Sequence, residues 1–183
     1  MRLVGVLSQE HRIIENILAA FNVEVEEITA KNNIDPVSMD LSIDFIRTFT
    51  DQAHHGKEEN ILFRELSKKK LLPAHARIMG ELRDEHQYSR GIVGKWMVAN
   101  RRLSEGEDTS QEIISYLKEL TQFYSQHIKK EDEQFFYPVL DYFENEELAK
   151  MEREFNEFDA NVLHWRYAKV ESILKERLGA GKI

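Results

Sequence analysis

A chain of 183 residues with 42% hydrophobic side chains suits one domain with a packed core. Its net charge of −8 excludes a nucleic-acid-binding face, which needs clustered cations, and no run approaches the ~18 apolar residues of a membrane span. With no cysteine, disulfides, thiolate catalysis and thiolate metal ligands are excluded together, so any metal must be held by nitrogen and oxygen.

Eight Gly and three Pro against abundant Leu, Glu, Lys and Ala point to long helices, and the fold class expected is all-α. The opening Met1–Leu7 is too short for a signal peptide, and a cytoplasmic protein is expected. A first helix runs from about Ser8, read as its N-cap, through Ile14, Leu18 and Phe21 to Ile28, and stops in Lys31-Asn32-Asn33. Asp35 followed by Pro36 opens a second helix carrying Leu41, Phe45, Phe49 and Leu66, with Lys68-Lys69-Lys70 at its negative end. Leu72-Pro73 starts a third, which carries Ile78, Leu82, His86, Ile92 and Val93 to about Leu103. Thr109 and Glu112, in capping-box spacing, open a fourth with Ile113, Leu117, Leu120, Tyr124, His127, Glu131 and Phe135; Pro138 should kink or end it. A fifth spans about Asn145 to Leu178, with Met151, Phe155, Phe158, Val162, Trp165, Ile173 and Leu174 for packing.

Short connections between the first four helices predict an up-down-up-down bundle over residues 1–143, with residues 144–183 a helical extension packed on the same domain. Within this frame one segment occurs twice. His54 to Phe63 returns about seventy residues later as His127 to Phe136, each copy reading His, Lys, Glu, acid, then an apolar-aromatic pair. On a helix, His and Glu four apart share a face roughly 6 Å from each other, so each copy can grip metal from two successive turns. Helix 1 offers His11 and helix 3 offers His86, giving every helix one contribution to a shared interior.

The donor types favour a reactive pair of ions. Imidazoles bind borderline metals and carboxylates can bridge two ions, as in bundle-housed di-iron sites. Two glutamates bring −2 against +4 for a di-ferrous pair, leaving positive charge to attract an anionic ligand. Protease-type zinc is disfavoured by the absence of His-Glu-x-x-His, and no histidine has Glu three residues before it, as the ferritin-type motif requires.

Gln9-Glu10-His11-Arg12, the His54 motif, Glu85-His86 and the His127 motif, in this order on four helices, resemble the hemerythrin-like, histidine-histidine-glutamate cation-binding family over about residues 8–143. The resemblance implies a hemerythrin-type bundle holding two iron ions in an oxo- or hydroxo-bridged centre. His11, His54, His86 and His127 would be the imidazole ligands, with Glu58 and Glu131 as bridges. Animal oxygen carriers of the family place another histidine four residues after the first on helix 3; here that position is Arg90, which implies one nitrogen ligand fewer and puts reversible oxygen carriage in doubt.

Two registers stand for the second helix, His54 with Glu58 or His55 with Glu59: the internal repeat selects His54 and Glu58, whereas heptad counting from Phe45 and Phe49 to Phe63 selects Glu59. The repeat carries more weight, leaving His55 and Glu59 as neighbours. His75 reads as a surface residue, His164 as a packed histidine and reserve ligand, and Tyr124 as a packing residue within reach of His127's surroundings. The function expected is binding of dioxygen, nitric oxide or peroxide for sensing, storage or stress response. The alternative is a di-iron enzyme that removes peroxide or reduces an oxidant, and no nucleic-acid or membrane partner is expected.

Overall fold

A computed structural model describes residues 2–31 and 33–177, with side chains over residues 3–31 and 33–162. Five long helical elements follow one another, and no strand occurs among the described residues: α1 (Arg2–Lys31), α2 (residues 36–66), α3 (Pro73–Ser104), α4 (residues 110–140) and α5 (Asn145–Arg177). Asp35 caps α2 by accepting from the amides of Val37 at 3.1 Å and Ser38 at 3.3 Å, and Pro36 occupies the first turn.

Two ends differ from the sequence reading. α1 begins near Arg2 because Leu3, Val4 and Leu7 are fully buried; Ser8 lies inside the helix and donates to Asp132 at 3.1 Å. Thr109 makes no side-chain cap; its hydroxyl donates to the Ala99 carbonyl, while Asp108 takes the Ser110 amide and Glu112 pairs with Arg102. Pro138 lies in the closing stretch of α4, just after a wide turn at Glu131–Phe135, and the helix ends at Leu140.

From Val4 onward the buried residues of α1, Val4, Leu7, His11, Ile14, Leu18, Phe21, Val25 and Ile28, alternate in steps of three and four, so His11 stands in an otherwise apolar seam. The apolar core is divided in two. Ile14, Phe21, Ile43, Ile92, Trp96, Leu117 and Tyr124 build one cluster; Leu3, Leu7, Leu62, Phe63, Leu82, Phe135 and Phe136 build the other. Along α1 and α3 the second cluster comes before the histidine and the first after it; along α2 and α4 the order reverses. This is the antiparallel arrangement of a four-helix bundle, and it leaves a buried polar layer between two dry cores.

Met151 and Phe155 of α5 join the second cluster. Farther along, Phe158 reaches α2 at Gly56, where an added Cβ would lie 2.7 Å from the Phe158 ring. Trp165, Ile173, Leu174 and His164 lie outside the described side chains.

Candidate metal centre

α2 and α4 leave the regular α pitch where the centre lies. α2 winds as π-helix over Ile46–His55 and again over Glu58–Leu62, and α4 does so over Glu131–Phe135. Each wide turn inserts residue length without advancing the helix face, a feature of functional sites. The consequence in α2 is that His54, His55 and Glu58 are all buried, while Glu59 is half-buried. The two registers are thereby reconciled: Glu58 points inward, and Glu59 turns toward His86 on α3.

All six residues expected from the sequence, His11, His54, Glu58, His86, His127 and Glu131, are buried in the polar layer. His11, His54, Glu58 and Glu131 form one group whose donor atoms lie within 4.8 Å of one another; His86 and His127 form another with His55. The sequence reading held His55 as the alternative to His54, not as a ligand beside it. His55 is fully buried and stacked on His86, ring centroids 3.9 Å apart. A fifth imidazole therefore comes from α2, although Arg90 stands where α3 would have carried one. The His54-His55 doublet was the available signal, unreadable on a helix of uniform pitch.

Four imidazoles are oriented by the same device. The Nδ1 atoms of His11, His54, His86 and His127 face Asp132 at 3.0 Å, Glu10 at 2.9 Å, Glu59 at 2.7 Å and Glu85 at 2.8 Å. With the proton held at Nδ1, the Nε2 lone pair is presented inward. Every orienting carboxylate also meets a cation from the histidine's own helix: Arg12, Lys57, Arg90 and Lys130 respectively. Burial alone would raise the pKa of these four carboxylates, but the imidazole and cation on each draw it below the ordinary range.

The repeated Lys and aromatic of the two motifs thus acquire roles. Lys57 and Lys130 hold the carboxylates that orient His54 and His127, while Phe136 stacks on His11 at 5.5 Å and Phe63 on His86 at 6.0 Å. An approximate twofold relation exchanges α1 and α2 with α3 and α4. His55 breaks it. Its Nδ1 lies 3.5 Å from Asp51, whose carboxylate is held at 2.6 Å by Arg90, so one guanidinium serves the surroundings of both His55 and His86.

Inside the layer, Nε2 of His11, His86 and His127, both ring nitrogens of His55 and both oxygens of Glu58 and Glu131 are buried without a hydrogen-bond partner. Leaving such groups unmatched costs about 1–3 kcal/mol each, more for charged ones. They nevertheless converge. Glu131 sets Oε2 3.1 Å from His11 Nε2 and Oε1 3.3 Å from His127 Nε2; Glu58 sets Oε1 3.5 Å from His54 Nε2 and Oε2 3.3 Å from His86 Nε2. Donors each ~2.1 Å from a shared ion, at right angles, stand ~3 Å apart. The donor set therefore fits metal cations.

The electrostatics of the metal-free layer show the same strain. Burial pushes Glu58 well above the carboxylate range, aided by the facing Glu131; burial would do likewise to Glu131, but the imidazoles of His127, His11 and His86 hold it well below. Burial lowers His54 to about 4 and His55 well below the ordinary imidazole value. His11, whose burial is outweighed by Asp132 and Glu131, rises to about 10.

The remaining residues raised by the sequence sit apart. His75 is half-buried against the Tyr142 hydroxyl at 2.9 Å, and Tyr124 is buried between His127 and a cavity of about 250 Å³ that runs between α2 and α3. Ile46, Val93, Gly94, Met97 and the Asp51–Arg90 pair contribute to that cavity's lining.

A family model for the hemerythrin HHE cation binding domain matches residues 2–139, and a second match covers 78–176. The second match begins in α3, where the half that repeats α1 and α2 starts. No curated protein and no solved structure matches the chain significantly. The first match spans well over half the length and takes in all the buried His and Glu residues just described: the chain belongs to the hemerythrin HHE cation-binding family.

Proposed function

We propose that the chain is a non-haem di-iron protein that binds dioxygen or a related small ligand, nitric oxide or peroxide, for sensing, storage or stress response. The observation that carries the reading is the split of the two carboxylates. Glu58 and Glu131 each turn one oxygen toward the His11 and His54 group and the other toward the His86 and His127 group, which is how a bridge between two ions is built. His11 and His54 would hold one ion; His55, His86 and His127 would hold the other. With both carboxylates bridging, one ion would have two imidazoles and two carboxylate oxygens and the other three imidazoles and two carboxylate oxygens, a cysteine-free set of nitrogen and oxygen donors that suits iron.

When bound, a pair of irons supplies redox-active, open coordination positions for a small ligand. The chain's part is to aim the imidazoles, four of them through carboxylates on Nδ1, and to exclude bulk water between two apolar clusters. Metal analysis with an iron-specific spectrum tests the reading: two irons per chain are expected, falling sharply in Glu58→Ala and His127→Ala, with His55→Ala weakening one of the two. Unchanged iron in all three variants would refute the site. A stable adduct with dioxygen or nitric oxide and no peroxide consumption marks a binding protein; peroxide turnover marks the enzyme alternative.

A further inference from the structure

The near-twofold relation between the halves breaks at the outer end of one histidine's support. Lys130, which holds Glu85 behind His127, is flanked by a second carboxylate from the same helix, Glu81 at 3.4 Å. The position equivalent to Glu81, five residues before the helix-1 histidine, is Val6. Lys57, which holds Glu10 behind His54, is fully buried and takes its second carboxylate from α5: Asp159 accepts from Lys57 Nζ at 2.8 and 3.0 Å. A buried ammonium with one carboxylate that is itself shared with an imidazole would be short of partners.

We propose that Asp159 is a positioning residue for the His11 and His54 ion, acting through Lys57 and Glu10 on the His54 imidazole, so that docking of α5 sets the affinity of that ion and not of its neighbour. The proposal rests on the two-ion reading above. α5 reaches this place because Phe158 sits against Gly56, immediately before Lys57 in α2. Arg64 of α2 and Glu154 of α5 form a separate pair at 2.5 Å, outside the chain that leads to His54.

Metal-free full-length protein, titrated anaerobically with ferrous iron against a competing chelator, provides the test. In the wild type two ions bind; in Asp159→Asn one of the two affinities falls about tenfold, the lower end of what outer partners of ligating histidines contribute, and the other stays within about twofold. Asp159→Glu restores the lost affinity, and Glu154→Ala, which loosens an α5 contact without touching Lys57, leaves both unchanged. Two ions bound with wild-type affinities in Asp159→Asn overturn the positioning role alone. Both affinities falling together with the melting temperature also overturn it, since α5 would then act only through general stability. A wild type that binds fewer than two ions overturns the two-ion reading and this proposal with it.

Discussion

His11 and His54 have ring centroids 4.7 Å apart, yet their surroundings pull them in opposite directions. His54 is buried with its proton count fixed at neutral, its pKa down from 6.5 to about 4, while Asp132 and Glu131 lift His11 to about 10. In the metal-free protein a depressed imidazole contributes stability that is present above pH 6.5 and lost as pH falls toward 4. A raised one contributes below pH 6.5, and that is lost as pH rises through 10. His55 acts in the same direction as His54. Urea midpoints of chelator-treated protein are therefore expected to peak near neutral pH and drop at pH 5 and again at pH 9. His54 alone accounts for on the order of 3 kcal/mol across its acid window. A midpoint that rose from pH 7 to pH 5 would contradict this assignment, and His54→Gln should blunt the acid-side loss.

Among the helices, the positions of all five were legible in the chain, and what was not legible was the local pitch of α2 and α4. The three-and-four spacing of α1 and the Asp35-Pro36 start of α2 mark those elements by the chemistry that forms them. The repeat marked four of the seven inward groups, His54, Glu58, His127 and Glu131, and the count of one contribution per helix added His11 and His86. His55 was read as an alternative to His54 because stacking four residues apart and heptad counting both assume a regular α pitch, whereas the wide turns of α2 turn two successive histidines inward. The orienting partners escaped for another reason: Glu10, Glu85 and Asp132 come from helices next to those whose histidines they hold, so only the folded bundle shows the pairs. Helix packing also fixes what Gly56 must be. Its missing Cβ is the space that the Phe158 ring fills. Gly56→Ala should lower stability by about 1 kcal/mol, overpacking outweighing the gain in helix propensity. In a Phe158→Ala background the same change should stabilise by about 0.5–1 kcal/mol, because only the propensity gain remains. Thermal melts of the four proteins in the cycle give the answer; equal effects in both backgrounds would show that α5 does not press on Gly56.

At the scale of the whole bundle, the buried polar layer is a concession of stability to function. His11 occupies a step in a seam that is otherwise apolar, and His86 and His127 stand in seams made mostly of apolar residues, so the fold would tolerate leucine at these places better than it tolerates unmatched imidazoles and carboxylates. Metal reverses the balance by satisfying the convergent donors, and binding to the folded chain alone adds to its stability in proportion to the logarithm of free metal over the dissociation constant. Two consequences can be measured together. Chelation should lower the melting temperature of the wild type. A variant with His11, His54, His55, Glu58, His86, His127 and Glu131 all replaced by leucine should bind no iron, melt independently of chelator, and exceed the metal-free wild type by about 1–4 kcal/mol, the range found when buried charged groups give way to apolar side chains. If this variant instead unfolded while retaining its helical composition, the polar layer would be specifying the alignment of the four helices as well as holding metal. A chelator-insensitive wild type would mean that the layer is matched without an ion, against the partnerless Nε2 and carboxylate atoms at its centre.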